Sequence, residues 1–195
     1  MITTTTTSKP HWNYFLALES DLETVSRYVE FSAPNLDVYS IELAHLLFAA
    51  ASEVDVIAKL VCAILDSAAP RNDINDYQAV IMAKMPDLAS MQVFIPRYGL
   101  QLTPWDNWIN STNPDWWRSY NKVKHERDQY FHQATLKNAL NALGALFALS
   151  FSYYRLSLSV SGAPLSPKDT TRQLEPSATL FRLPDDHYNS VLLFG

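Results

Sequence analysis

The sequence predicts an all-α fold: a helical bundle of four or five helices with a short β-hairpin insertion and an irregular C-terminal tail. Three observations lead there. The 195-residue chain is 48% apolar and only 18% charged, the balance of a packed core and not of a disordered chain. Its four glycines are few for a turn-rich β architecture. Apolar residues recur at three- and four-residue spacing, or run without a polar face over long stretches. A chain of this length is one domain with room for a full core.

Residues 1–12, MITTTTTSKPHW, lack a cationic start and an apolar h-region, and read as a flexible lead. Asn13 is placed to cap a first helix running to about residue 30. Leu18, Leu22, Val25 and Val29 form its apolar face, and Glu19, Asp21, Glu23 and Arg27 its polar one. Ser32, Pro34 and Asn35 mark a turn. Over 38–65 the chain is apolar nearly all round, through Leu43, Leu47, Val54, Ile57 and Val61, which is the pattern of a central helix. Asn75 or Asp76 then caps a shorter helix, stopped at Pro86. Residues 91–102 carry β-favouring side chains on both sides of a Pro96-Arg97-Tyr98-Gly99 turn, a short hairpin.

Residues 115–154 contain no proline and only Gly144. Unbroken, they would form a helix roughly 60 Å long, against a domain about 42 Å across. A break is therefore expected over 128–135, with Thr135 capping the next helix. The helical body spans 13–158. The tail, 159–195, holds two β-like pieces, ATLFRL and SVLLFG, that can pair as a small hairpin.

Charge and cysteine narrow the function. A net charge of −5 and a pI near 5.4 argue against broad, sequence-blind nucleic-acid binding, so any polynucleotide contact must be local. Cys62 is the sole cysteine, which excludes an intramolecular disulfide and a cysteine metal site, and its LVCAIL setting reads as buried. Residues 139–158 come nearest to a membrane span, but Asn141, Ser150, Ser152 and Arg155 interrupt them. A core helix and a cytoplasmic location are expected. There is no Gly-rich phosphate loop, nucleophile elbow or zinc spacing.

One window carries chemistry. Residues 118–137 hold five of the 15 Lys and Arg residues and only two acids, Glu126 and Asp128. On a helix, Asn121 and His125 share a face that Asp128 continues, while Lys124 and Arg127 lie on an adjacent stripe. His125 is then the proton-transfer group, Asn121 fixes its tautomer, and Lys122, Lys124 and Arg127 hold a phosphate. Free N–H groups at the next helix start would add to the anion site. A second register joins Arg127 to His132. Glu42 and Glu53, on the long central helix, are expected to pair with Arg127 or Lys124 as support. Glu42, His45 and Glu53 also fall within one third of that helix's circumference, but Glu-x-x-His occurs once where a dinuclear site needs two. No metal and no cofactor are expected. Trp105, Trp108, Trp116 and Trp117 can stack on bases or cap a core, and the core is favoured.

Arg127-Asp128-x-x-x-His132 resembles the Arg-polar-x-x-x-His motif of the HEPN superfamily of small helical bundles. Asn121-x-x-x-His125 is similar to its Arg-Asn-x-x-x-His form, with Tyr120 at the Arg position. The resemblance implies a metal-independent endoribonuclease of a toxin or phage-defence system, with a composite site formed across a homodimer. RNA and an antitoxin or defence-system protein are the implied partners. The alternative is a non-catalytic HEPN-like module for dimerisation or for binding a partner or nucleotide. Side-chain chemistry favours His125 with Asn121 and Arg127; the family pattern favours His132.

Overall fold

The computed structural model describes residues 8–159 and 163–188. In chain order it contains α1 (Pro10–Val25), α2 (Ile41–Leu65), α3 (Ile74–Lys84), strands β1 (Val93–Ile95) and β2 (Leu100–Leu102), α4 (Asp115–His125), α5 (Arg127–Tyr130), α6 (Leu136–Ser157) and α7 (Pro167–Gln173). The fold is mainly helical with a two-stranded antiparallel sheet. The described helices exceed the four or five expected because α5 and α7 are short pieces within the break and the tail.

Local chemistry explains most boundaries. The Ser40 hydroxyl accepts the Leu43 N–H at 3.1 Å and starts α2. The carboxylate of Asp73, not Asn75 or Asp76, caps α3, accepting from Asn75 at 2.8 Å and Asp76 at 3.2 Å. Thr135 caps α6, as expected, by accepting the Asn138 N–H at 3.2 Å. The hairpin pairs Val93 with Leu102 and Ile95 with Leu100, and Gly99 supplies the positive φ of 62° that the turn needs.

The first helix departs from expectation at both ends. It starts at Pro10, whose fixed φ suits the first helical position, and stops at Val25. Asn13 lies inside it, and residues 10–12 of the lead expected over 1–12 are helical, while residues 1–7 lie outside the described residues. Trp12 is only 2% exposed, stacks on Phe15 at 5.1 Å, and donates its ring N–H to the Pro176 carbonyl at 2.9 Å.

The core surrounds α6. Every residue from Ala142 to Ser152 is buried, so this helix has no solvent face over three turns. It packs chiefly on α2, with α1, α4 and α7 also against it. The hairpin lies over Gly144, where an added Cβ would sit 3.1 Å from Leu102 Cδ1. No described helix is long and apolar enough to cross a membrane.

The tail completes this core. Leu174, Leu180, Phe181 and Leu183 are buried in it. The ATLFRL piece pairs through Arg182 with Phe94, N–H to carbonyl in both directions at 2.8 and 2.9 Å, on the edge of β1 away from β2. Its suggested partner SVLLFG (190–195) lies outside the described residues. Glu19, expected on the polar face of the first helix, is 2% exposed. Its carboxylate accepts the N–H groups of Thr179, Leu180 and Phe181 at 3.0, 2.9 and 2.9 Å and the Thr179 hydroxyl at 3.3 Å. Three backbone donors with no strand to pair with thus find one acceptor.

Removing that acceptor leaves buried N–H groups unsatisfied. Glu19→Ala is expected to lower stability in urea unfolding by about 3 kcal/mol, and Glu19→Gln by less, since the amide keeps one acceptor oxygen. An unchanged midpoint in Glu19→Ala would mean that the apolar side chains alone hold the tail.

Candidate functional site

The polar window folds as a break between two helices. α4 ends at His125 because Glu126 leaves the helical region, with φ −137° and ψ 50°. α5 is a single turn, a 3-10 turn covers Phe131–Gln133, and Thr135 opens α6. Since the helix stops at His125, the stripe expected to run on to Asp128 does not form. Asn121 donates its amide N–H to the Trp117 carbonyl at 3.2 Å, one turn back in its own helix. His125 is exposed at the end of α4, and its imidazole makes no hydrogen bond or ion pair among the described residues. Lys124 Nζ lies 5.4 Å from the centre of the Tyr120 ring.

The remaining residues divide between two faces. Arg127 and Asp128 line an apolar groove of about 570 Å³ with Ile41, Ala44, His45, Phe48 and Phe131. The guanidinium stands 5.2 Å from the centre of the Phe48 ring, a cation–π contact. His132 and Lys122 line a different, polar cleft of about 800 Å³. Arg127 and His132, joined in the sequence pattern, therefore serve separate cavities.

The supporting acids also sit elsewhere. Glu42 is exposed and pairs with His45 at 3.7 Å within α2. Glu53 faces α1, where its carboxylate meets His11 Nδ1 at 2.6 Å. Neither pairs with Arg127 or Lys124, because α2 turns Glu53 toward α1 and leaves Glu42 in water. Among the described residues no group of three His, Cys, Asp or Glu is placed to hold a metal ion. The His11–Glu53 pair, 17% and 13% exposed at the side chains, has the Tyr153 ring edge-on to the imidazole at 5.3 Å. Sequence reasoning missed it: 42 residues separate the partners, and no local pattern links them.

The four tryptophans are core. Trp105, Trp108, Trp116 and Trp117 are buried and contact one another ring to ring, at 4.3 Å for Trp105–Trp108 and 5.4 Å for Trp105–Trp116. Trp105 and Trp116 donate to the carbonyls of Ala145 and Pro104 at 3.3 and 2.8 Å. None presents a face for a base.

The polar cleft has three walls. Asp115, Arg118, Ser119 and Lys122 form one stripe of α4 at three- and four-residue spacing. His132, Gln133 and Thr135 come from the break, and Lys137 and Asn138 from the first turn of α6. Asp37 and Tyr39 close it from the segment before α2. That segment is tied down by backbone: the N–H groups of Leu136 and Lys137 donate to the carbonyls of Val38 and Leu36 at 2.8 and 2.9 Å. The N–H groups expected to be free for an anion are thus already bonded, and any anion must be held by side chains.

Those side chains are suited to it. Arg118 pairs with Asp115, but neither Lys122 nor Lys137 has an ion-pair partner among the described residues. Lys122 Nζ lies 5.1 Å from the centre of the Tyr130 ring. Lys137 stands in the first turn of α6, which contains no acid, so a cation adds to the positive end of a long helix dipole. His132 is exposed in the same cleft.

Comparisons with protein-family models, curated proteins and solved structures return no match for this chain.

Other titratable groups with displaced pKa values belong to the core. Burial pushes the Cys62 thiol up to about 11, with Arg71 opposing. Tyr77 is raised by burial and then by its 2.7 Å hydrogen bond to Asp55. Because the folded value for Cys62 lies above its ordinary 9.0, its contribution to stability is complete below pH 9 and is lost as pH rises through about 11. Unfolding free energy should therefore fall over this window by roughly 2 kcal/mol more in the parent protein than in Cys62→Ala. Equal pH slopes would refute the burial of that thiol.

Proposed function

We propose that this protein binds RNA through its phosphates in the cleft between α4, the break and the start of α6. The observation that carries this is a cleft lined by three cations, Arg118, Lys122 and Lys137, against two acids, Asp37 and Asp115, of which only Asp115 is engaged in an ion pair among the described residues, with Arg118. Lys122 and Lys137 face one cleft without ion-pair partners, Arg118 stands beside them, and the pole of α6 adds to their field. On an acidic chain this is a local anion site.

Cleavage is the second reading, favoured by His132. Its imidazole shares the cleft with the cations that would hold a phosphodiester. A metal-independent mechanism needs this combination: His132 moves the proton at the ribose 2′-hydroxyl or the leaving oxygen, and Lys122, Lys137 and Arg118 stabilise the charge that builds on phosphorus oxygens. His125 lines neither cavity, so the geometry favours His132 over the reading from side-chain chemistry. In the HEPN-like version of this proposal the protein is a homodimer, and Arg127 of a second copy completes a composite site. A toxin or defence role with an antitoxin-like partner belongs to that version. The outer apolar residues of α2, Ile41, Val56 and Ile64, are exposed and available to such contacts.

Fluorescence anisotropy with a short labelled RNA tests the binding. Lys122→Glu and Lys137→Glu should each weaken affinity about tenfold, with a shallower salt dependence; unchanged affinity in both would remove the proposal. If cleavage occurs, it should persist in chelator and disappear in His132→Ala with binding retained. Activity surviving in His132→Ala but lost in His125→Ala would reverse the assignment.

A further inference from the structure

We infer that the cleft takes single-stranded RNA and that Tyr39 is the platform on which one unpaired base stacks, an inference that rests on the phosphate-binding reading above. Tyr39 lines the same cleft as Lys122, Lys137 and His132. It is 50% exposed, whereas Trp105, Trp108, Trp116 and Trp117 are buried. The exposed ring is nevertheless held. Phe131 meets it edge-on, with centroids 5.6 Å apart and planes at 88°. Its backbone bridges to Thr135, and the next residue, Ser40, is the fixed cap of α2. An aromatic face oriented before binding loses little freedom when a base lands on it.

The combination selects the ligand. A duplex offers phosphates to Lys122 and Lys137, but its bases are stacked on each other and present no face to Tyr39. A base-free polyanion offers charge alone. Only a strand with unpaired bases satisfies cations and ring together, and stacking of this kind tolerates any base.

The test uses the full chain and three labelled probes: a single-stranded RNA of about ten nucleotides, the blunt duplex of the same length, and an abasic strand carrying the same phosphates. The parent protein should bind the single strand roughly tenfold tighter than either of the others. Tyr39→Ala should bring the single strand down to the abasic level and leave abasic binding unchanged, while Tyr39→Trp keeps the preference. Tyr39→Leu, which preserves an apolar contact with Phe131, should behave as Tyr39→Ala and so exclude a folding defect. Equal affinity for abasic and base-bearing strands, or a single-strand affinity untouched by Tyr39→Ala and Tyr39→Leu, would overturn the stacking role while leaving cation-dependent binding in place. Failure of all three probes to bind, or indifference of all three to Lys122→Glu and Lys137→Glu, would overturn the phosphate reading and this inference with it.

Discussion

The structure is organised by a helix that has no outside. From Ala142 to Ser152 α6 is buried on every face, and a helix in that position needs neighbours all round. α2 lies along it, α1 and α4 flank it, and the hairpin covers it where Gly144 lets Leu102 approach. The tryptophan cluster follows from the same demand. Trp105 fills space beside α6 and gives its ring N–H to the Ala145 carbonyl, so the bulk of the ring is buried without an orphaned donor.

Closing the last side of α6 falls to the tail, which brings its own difficulty. A chain segment that enters a core without regular secondary structure carries backbone N–H groups that water can no longer satisfy. Glu19 resolves this by accepting three of them, and the hydrogen bonds in turn make a buried carboxylate tolerable. The edge of β1 takes Arg182 in the same way. α1 is joined to α2 by His11 and Glu53 and to the tail by Glu19 and Trp12, so the first and last described segments are fixed by the same helix.

The cleft is a by-product of how α6 begins. Its first N–H groups are taken by the carbonyls of Leu36 and Val38, which pins the segment before α2 against the break and places Tyr39 at the rim. After the change of chain direction at Glu126, Arg127 lies against Phe48 of α2 and His132 lines a separate cleft. One basic stretch of sequence thereby supplies two cavities of different character, an apolar groove with a cation at its rim and a polar cleft with lysines that lack counterions.

What the sequence by itself determined is local. The cap at Thr135, the stop before Pro86, the Gly99 turn and the need for a break after α4 all depend on residues within a few positions of one another, where propensity and hydrogen-bond geometry decide. The burial of α2 and α6 was legible for the same reason, since periodicity reports whether a helix has a polar face. The partners of Glu19, Glu53 and His11, the division of Arg127 from His132, and the exposure of Tyr39 were decided only by tertiary structure. Each depends on which side of an element meets which neighbour, and a few degrees of helix rotation or one residue of cap position changes the answer. A carboxylate three positions from a leucine reads as solvated until the fold brings three unpaired N–H groups from residues 179–181 against it.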